Sequence, residues 1–161
     1  MYLLDANIFI TAKNHHYGFD FAPAFWDWLD RGHTAGILCS IGKVGEELAV
    51  GGDELTTWAA GRSGLFLQPD AAMVPSLQIL ARWASSGTFT RAAVDTFLNC
   101  ADYHLVAYAH AHGHTVVTHE RPQPEAKKRI LIPDACAAVG VPWTDPYTML
   151  RGEGVRFVLQ T

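Results

Sequence analysis

The fold is decided by the stretch CADYHLVAYAHAHGHTVVTHE, residues 100–120. Its first part has apolar residues at helical spacing, so we predict a long helix over 100–112 that Asn99 caps and Gly113 ends. The run 115–118 that follows predicts a short buried strand. A helix that leads directly into a buried strand is typical of α/β folds.

The rest of the chain repeats this alternation of short apolar runs and amphipathic stretches. We predict further strands at 2–5, 35–39, 65–67, 129–132 and 155–159, and further helices from Pro23 through Leu29, from a cap at Ser40 to Leu48, at 74–84, at 90–98 and near Asp134. This order predicts an α/β fold with a mostly parallel sheet. No repeat, low-complexity tract or linker divides the chain, so we expect a single domain over residues 1–161.

Composition narrows the classes of protein to which the chain can belong. Hydrophobic residues make up 49% and charged residues 17% of its 161 residues, a balance that favours a globular domain over a disordered chain. The three widely spaced cysteines favour reduced thiols over a disulfide framework or a zinc ribbon. We find no signal peptide and no apolar run long enough to cross a membrane, so we expect a soluble, cytoplasmic protein.

Asp102 is the acidic residue that the sequence marks most clearly. It shares one face of the predicted helix with Leu105, Val106 and Ala109, and that face is the core face. A carboxylate there is costly to bury without a partner, although the first helical turn also stabilises an anion. Asp102 is therefore either a simple first-turn acid or part of a functional site.

Three further acids are predicted at the same edge of the sheet, because strand ends and helix starts meet there in parallel α/β folds. Asp5 closes the first strand, Glu47 borders the buried side of the second helix while Glu46 faces solvent, and Glu120 follows a strand. Taken singly, each could be a turn, boundary or loop acid. Four carboxylates at one edge would repel one another, and Mg²⁺ or Mn²⁺ would neutralise them. Such a site suits phosphodiester hydrolysis.

Four segments resemble the motifs of PIN-like domains, especially an uncharacterised branch related to VapC-type toxins. They are LDANIFI (4–10), VGEEL (44–48), ADYHLVAYA (101–109) and VVTHE (116–120). The resemblance implies a three-layer α/β/α sandwich and a metal-dependent ribonuclease, with Asp5, Glu47, Asp102 and Glu120 as catalytic and metal-binding residues and Thr118 in support. It also implies the toxin role of a type II toxin–antitoxin pair, a cognate antitoxin and frequent dimerisation. Glu120 stands where most PIN enzymes have Asp, so the number of metal ions is left open.

Asn7 and the basic residues extend this hypothesis. Asn7 is predicted either to cap residues 8–10 or to contact a metal-bound water. The basic run Lys127, Lys128 and Arg129 is either a solvated loop or a phosphate-binding segment. Lys13 and Tyr17 follow the first strand and are predicted to contact RNA, with stacking by Tyr17. The alternatives are a non-catalytic PIN-like binding module and a DNA-directed nuclease of the same chemistry.

Overall fold

The computed structural model describes residues 1–159. Five strands and nine α-helices are present in that part of the chain. The strands are β1 (Tyr2–Leu4), β2 (Leu38–Ile41), β3 (Phe66–Leu67), β4 (Thr115–Val117) and β5 (Trp143–Thr144). The helices are α1 (Ala6–Thr11), α2 (Pro23–Thr34), α3 (Gly42–Val50), α4 (Glu54–Ala60), α5 (Met73–Ser86), α6 (Arg91–Leu98), α7 (Ala101–His112), α8 (Ile132–Val139) and α9 (Pro146–Gly152). A π-helical segment, Ala12–His16, continues α1.

The strands form one parallel sheet in the order β3-β2-β1-β4-β5. The neighbouring residues Leu3 and Leu4 of β1 point to opposite faces of the sheet, and both are fully buried. Helices therefore cover both faces, and the predicted fold class, a three-layer α/β/α sandwich with a parallel sheet, is confirmed. No helix among the described residues is long and apolar enough to cross a membrane.

The strand order reverses at the centre of the sheet. From β1 the chain first adds β2 and β3 on one side and then β4 and β5 on the other. In open parallel sheets the crevice outside the carboxyl ends of the strands at such a reversal is the usual ligand-binding position. Here that position lies between the ends of β1 and β4, which Asp5 and Thr118 follow.

Two predicted strands are wrong. Residues 129–131 are irregular, and Ile132 already begins α8, because Pro133 fits a first helical turn and has no N–H to donate to a sheet. Residues 155–159 form no strand and are largely exposed. The fifth strand is instead β5, only two residues long, which the sequence analysis missed along with α4 and α9.

Two predicted caps are also wrong. Ser40 lies inside β2 and is fully buried, so that α3 begins only at Gly42 after Ile41. Asn99 ends α6, with its side-chain amide donating to the carbonyl of Asp95, and Cys100 is the N-cap residue of α7. The predicted end of α7 is confirmed, because Gly113 has the left-handed backbone (φ 69°) that glycine adopts without strain.

Candidate active site

Asp5 is the best-defined polar side chain at the strand reversal. It directly follows β1, is the N-cap residue of α1, and is only 3% exposed. Its Oδ2 accepts a hydrogen bond of 3.0 Å from the hydroxyl of Thr118, which is itself fully buried at the end of β4. The Thr118 hydroxyl also accepts a bond of 3.1 Å from the backbone N–H of Glu120. One threonine thus joins the ends of the two central strands.

Ser40 supports this arrangement from the other side of β1. Its hydroxyl donates a 2.7 Å hydrogen bond to the carbonyl of Leu4, the residue before Asp5. The sequence predicts a helix cap at Ser40 and not this role. A small hydroxyl residue in an otherwise apolar strand was the available signal.

The charges of the candidate acids affect one another's pKa values. Burial, followed by the charge of Asp102, raises the pKa of Asp5 from 3.8 to about 7. Burial and the charges of Glu120 and Glu47 raise the pKa of Asp102 from 3.8 to about 6, partly offset by Arg129. These side chains are therefore close enough to disfavour one another's ionisation, as expected for carboxylates that share a site.

Glu120 is already bound to other parts of the chain. Its side chain is 12% exposed; Oε1 accepts from the Arg129 guanidinium at 2.9 Å and Oε2 from the backbone N–H of Ile132 at 2.7 Å. Ile132 is the first residue of α8, so the carboxylate satisfies one of the free N–H groups there. Glu120 therefore binds the first turn of α8, and its charge acts on Asp102.

Glu47 and Asn7 lie at the periphery. Glu46 is exposed as predicted, but Glu47 is exposed as well, so the predicted contrast in burial between the two acids is wrong. Asn7 is exposed and lies within α1, and Asp5 occupies the cap position, which removes the capping alternative for Asn7.

No three His, Cys, Asp or Glu side chains within residues 1–159 are placed closely enough to ligate one ion together. The chemistry of the donors nevertheless fits a hard divalent cation. Asp5 and Asp102 are carboxylates in a low-dielectric position that lack sufficient countercharge, and such cations take oxygen ligands. Asp5 and Asp102 are the residues best placed to hold one, with Glu47 within electrostatic range of Asp102.

The residues predicted to bind RNA have different environments. Lys13 forms an ion pair of 2.8 Å with Asp53, and Tyr17 stacks on Phe25 with a centroid distance of 4.3 Å. Both side chains are therefore partly engaged within the protein. The basic run Lys127, Lys128 and Arg129 is exposed. Of these, Lys128 and Arg129 line a cleft of about 180 Å³ that also contains Asp102.

A cluster of His16, His119 and Tyr147 was not predicted as a group from the sequence. His16, at the end of the π-helical segment, hydrogen bonds to the hydroxyl of Tyr147 (3.1 Å), and its ring lies 6.3 Å from that of His119. His119 directly follows Thr118. Because these residues are more than 100 positions apart along the chain, only the folded structure brings His16 to the other two.

The fold and site together define an α/β/α domain with the buried Asp5 and the half-buried Asp102 at the carboxyl edge of a parallel sheet. The chain belongs to the family described as "Domain of unknown function (DUF4411)", whose model matches residues 2–157. No curated protein and no solved structure matches the chain.

Proposed function

We propose that this protein is a metal-dependent endoribonuclease that hydrolyses RNA phosphodiester bonds with Mg²⁺ or Mn²⁺. The observation that carries the proposal is the buried Asp5 carboxylate, held by Thr118 at the strand reversal and electrostatically coupled to Asp102. A bound divalent ion would neutralise these charges, lower the pKa of a bound water and stabilise charge on the phosphate.

The chain's own groups have separate tasks in this proposal. Thr118 fixes the orientation of the Asp5 carboxylate by donating to Oδ2. Asp102 presents a second carboxylate from the first turn of α7, and Lys128 and Arg129 line the adjoining cleft. The cleft places basic side chains beside Asp102. It therefore suits an RNA strand whose backbone phosphates contact the basic side chains while one phosphate lies next to the carboxylates.

RNA cleavage by the purified protein tests the proposal. Wild-type protein with Mn²⁺ should cleave a single-stranded RNA internally, and a chelator should abolish cleavage. Asp5→Asn and Asp102→Asn should lose this activity while remaining folded by circular dichroism, whereas Asp95→Asn, an exposed acid on α6, should retain it. Undiminished cleavage by Asp5→Asn would remove Asp5 from the site. Faster cleavage of DNA than of RNA would favour the DNA-directed alternative.

The biological role follows from the resemblance to VapC-type toxins. We propose that the protein acts in the cytoplasm as the toxin of a type II toxin–antitoxin pair, forms a homodimer and is restrained by a cognate antitoxin. Expression of the wild-type chain alone should arrest growth, expression of Asp5→Asn should not, and a small protein encoded by the adjacent gene should relieve the arrest. Unimpaired growth together with RNA cleavage in vitro would reject the toxin role and support the nuclease activity.

One observation favours a second candidate function, a non-catalytic binding module. Both Glu120 oxygens are engaged, by Arg129 and by the backbone of Ile132, instead of being free to contact a ligand. A module without a metal would show no Mn²⁺ binding and no cleavage, but would still bind RNA or protein. Mn²⁺ titration separates the two functions.

A further inference from the structure

A pocket of about 300 Å³ lies between α3, α5 and α7, separate from the carboxylates. Ile41 and Leu67, the last residues of β2 and β3, form part of its wall, so it opens at the same carboxyl edge of the sheet as Asp5. This volume is at the lower end of the range of roughly 300–1,000 Å³ that ligand pockets span. It therefore fits a small ring system and is too small for a large cofactor.

The lining of this pocket combines an apolar floor with aromatic walls and a polar rim. Leu67, Met73 and Leu77 provide apolar surface, and the rings of His104 and Tyr108 lie one turn apart on α7. Lys43, Glu46 and Gln68 supply hydrogen-bond donors and acceptors. A flat, partly apolar ligand with polar edges is complementary to such a lining.

His104 has a defined hydrogen-bonding state. Its Nδ1 lies 3.3 Å from the carbonyl oxygen of Cys100, and because a carbonyl can only accept, Nδ1 must be the donor. The other ring nitrogen, Nε2, is therefore the one left for a ligand. The ring itself offers a face of the kind on which unpaired RNA bases stack.

The charges argue against a phosphate in this pocket. Lys43 and Glu46 form an ion pair with an N–O distance of 3.4 Å, so the rim carries balanced charge. An anion would have to compete with Glu46 for Lys43, whereas a neutral ring with both donor and acceptor edges could bind to both. Charge complementarity therefore favours an uncharged heterocycle.

The pocket and the candidate active site lie at the same carboxyl edge of the sheet and involve the same two helices, α3 and α7. On α3, Glu46 lines the pocket and the next residue, Glu47, acts electrostatically on Asp102. On α7, His104 lines the pocket, and Asp102 lies two residues earlier, about 200° around the helix, so the pocket and the carboxylates flank the start of α7. We propose that the pocket binds one unpaired nucleobase of the RNA strand next to the scissile phosphate, an inference that rests on the proposed function.

Methionine-methyl NMR tests base binding without requiring catalysis. The chain has three methionines; Met73 lines the pocket, and Met149 is buried in α9 and serves as an internal reference. With chelator present, a 5′-mononucleotide should shift the Met73 methyl signal through the ring current of the base and leave Met149 unchanged. Ribose 5-phosphate should shift neither. No response of Met73, or an equal response to ribose 5-phosphate, would overturn the proposal.

Substitutions then test the lining. His104→Ala should weaken mononucleotide binding by about 5-fold or more through loss of stacking. His33→Ala, a half-buried histidine on α2, should leave binding unchanged. Equal affinities of His104→Ala and the wild type would remove His104, and with it the aromatic wall on which the assignment depends.

A cleavage assay separates this inference from the proposed function. Leu77→Trp fills the pocket and should flatten the base preference at one position beside the cut, whereas Ile79→Trp, on the exposed side of the same helix, should not. If the Met73 signal responds to bases but RNA is not cleaved, base binding in the pocket is supported and the proposed nuclease activity is rejected. If Leu77→Trp cleaves RNA with the same base preference as the wild type and the Met73 signal does not respond to bases, base binding in the pocket is rejected and the nuclease activity is supported.

Discussion

Replacement of Asp5 by Asn should stabilise the metal-free protein, although it should abolish activity. The Asp5 carboxylate is 3% exposed and its pKa is raised from 3.8 to about 7, so the fold holds this charge at a cost. Asn removes the charge and retains a side-chain oxygen that can accept the hydrogen bond from Thr118. The gain in the free energy of unfolding should therefore appear wherever wild-type Asp5 is ionised.

The size of the gain follows from proton linkage. A rise from 3.8 to about 7 corresponds to a penalty of about 4 kcal/mol at full ionisation. Because the folded state binds the proton more tightly, wild-type stability falls as pH rises from about 4 to about 7 and levels off above that. The gain from Asp5→Asn at about pH 8 should exceed the gain at about pH 5 by 2–3 kcal/mol.

Urea denaturation in the presence of a chelator measures this difference. Wild type, Asp5→Asn and Asp95→Asn are unfolded at both pH values and compared pairwise, so that contributions from titrating groups that are not coupled to Asp5 cancel. Asp95 has an exposed side chain and a weak pair with Arg91, so its substitution should change stability by less than about 0.5 kcal/mol at either pH. An Asp5→Asn gain that is equal at the two pH values, or a loss of stability, would refute the reasoning.

Three further predictions concern the support of the site and its approach. Ser40→Ala should lower the free energy of unfolding by about 1–3 kcal/mol, because it leaves the buried Leu4 carbonyl without its donor. Glu120→Gln should cost about 1 kcal/mol and increase amide exchange at the start of α8, because the charge beside the Ile132 N–H is lost. Lys128→Ala should weaken RNA binding and reduce the slope of log affinity against log salt by about 0.7.

Each of these changes has a matched control on the surface. Ser63→Ala, Glu125→Gln and Arg91→Ala alter an exposed serine, an exposed glutamate and an exposed basic residue, and should have little effect. Stability of Ser40→Ala equal to that of Ser63→Ala would remove the role of the Ser40 hydroxyl. Unchanged exchange in Glu120→Gln would show that Arg129 alone binds this side chain, and an unchanged salt slope in Lys128→Ala would place the RNA backbone elsewhere.

The elements with strong local periodicity could be predicted from the sequence. The helix and strand over 100–120 and the position of Asp5 at the end of β1 follow from apolar spacing and from Gly113. Leu105, Val106 and Ala109 are buried as their spacing predicts, but Ala107 and Tyr108 are buried as well, so burial does not single out the face of α7 that carries the half-buried Asp102. In parallel α/β folds, the order of strands and helices also determines at which edge of the sheet the polar residues after each strand lie.

The remaining features depend on contacts between distant segments. The run at 129–132, buried from Ile130 onward, has the composition of a strand, but the Glu120 carboxylate and Pro133 favour a helix start there. Ser40 resembles a helix cap until its bond to Leu4, 36 residues away, is known. The pocket lined by His104 and Lys43 needs three helices to be packed together, and no local pattern encodes that packing.

Calorimetric titration with Mn²⁺ tests the central claim, a divalent metal held by Asp5 and Asp102, most directly. At about pH 6.5, wild-type protein should bind Mn²⁺ and release protons, because Asp5 is then partly protonated and a ligating carboxylate must be ionised. The proton release, measured in buffers of different ionisation enthalpy, should disappear with binding in Asp5→Asn and persist in Asp95→Asn. Absence of Mn²⁺ binding to the wild type between about pH 6 and 8 would contradict the account.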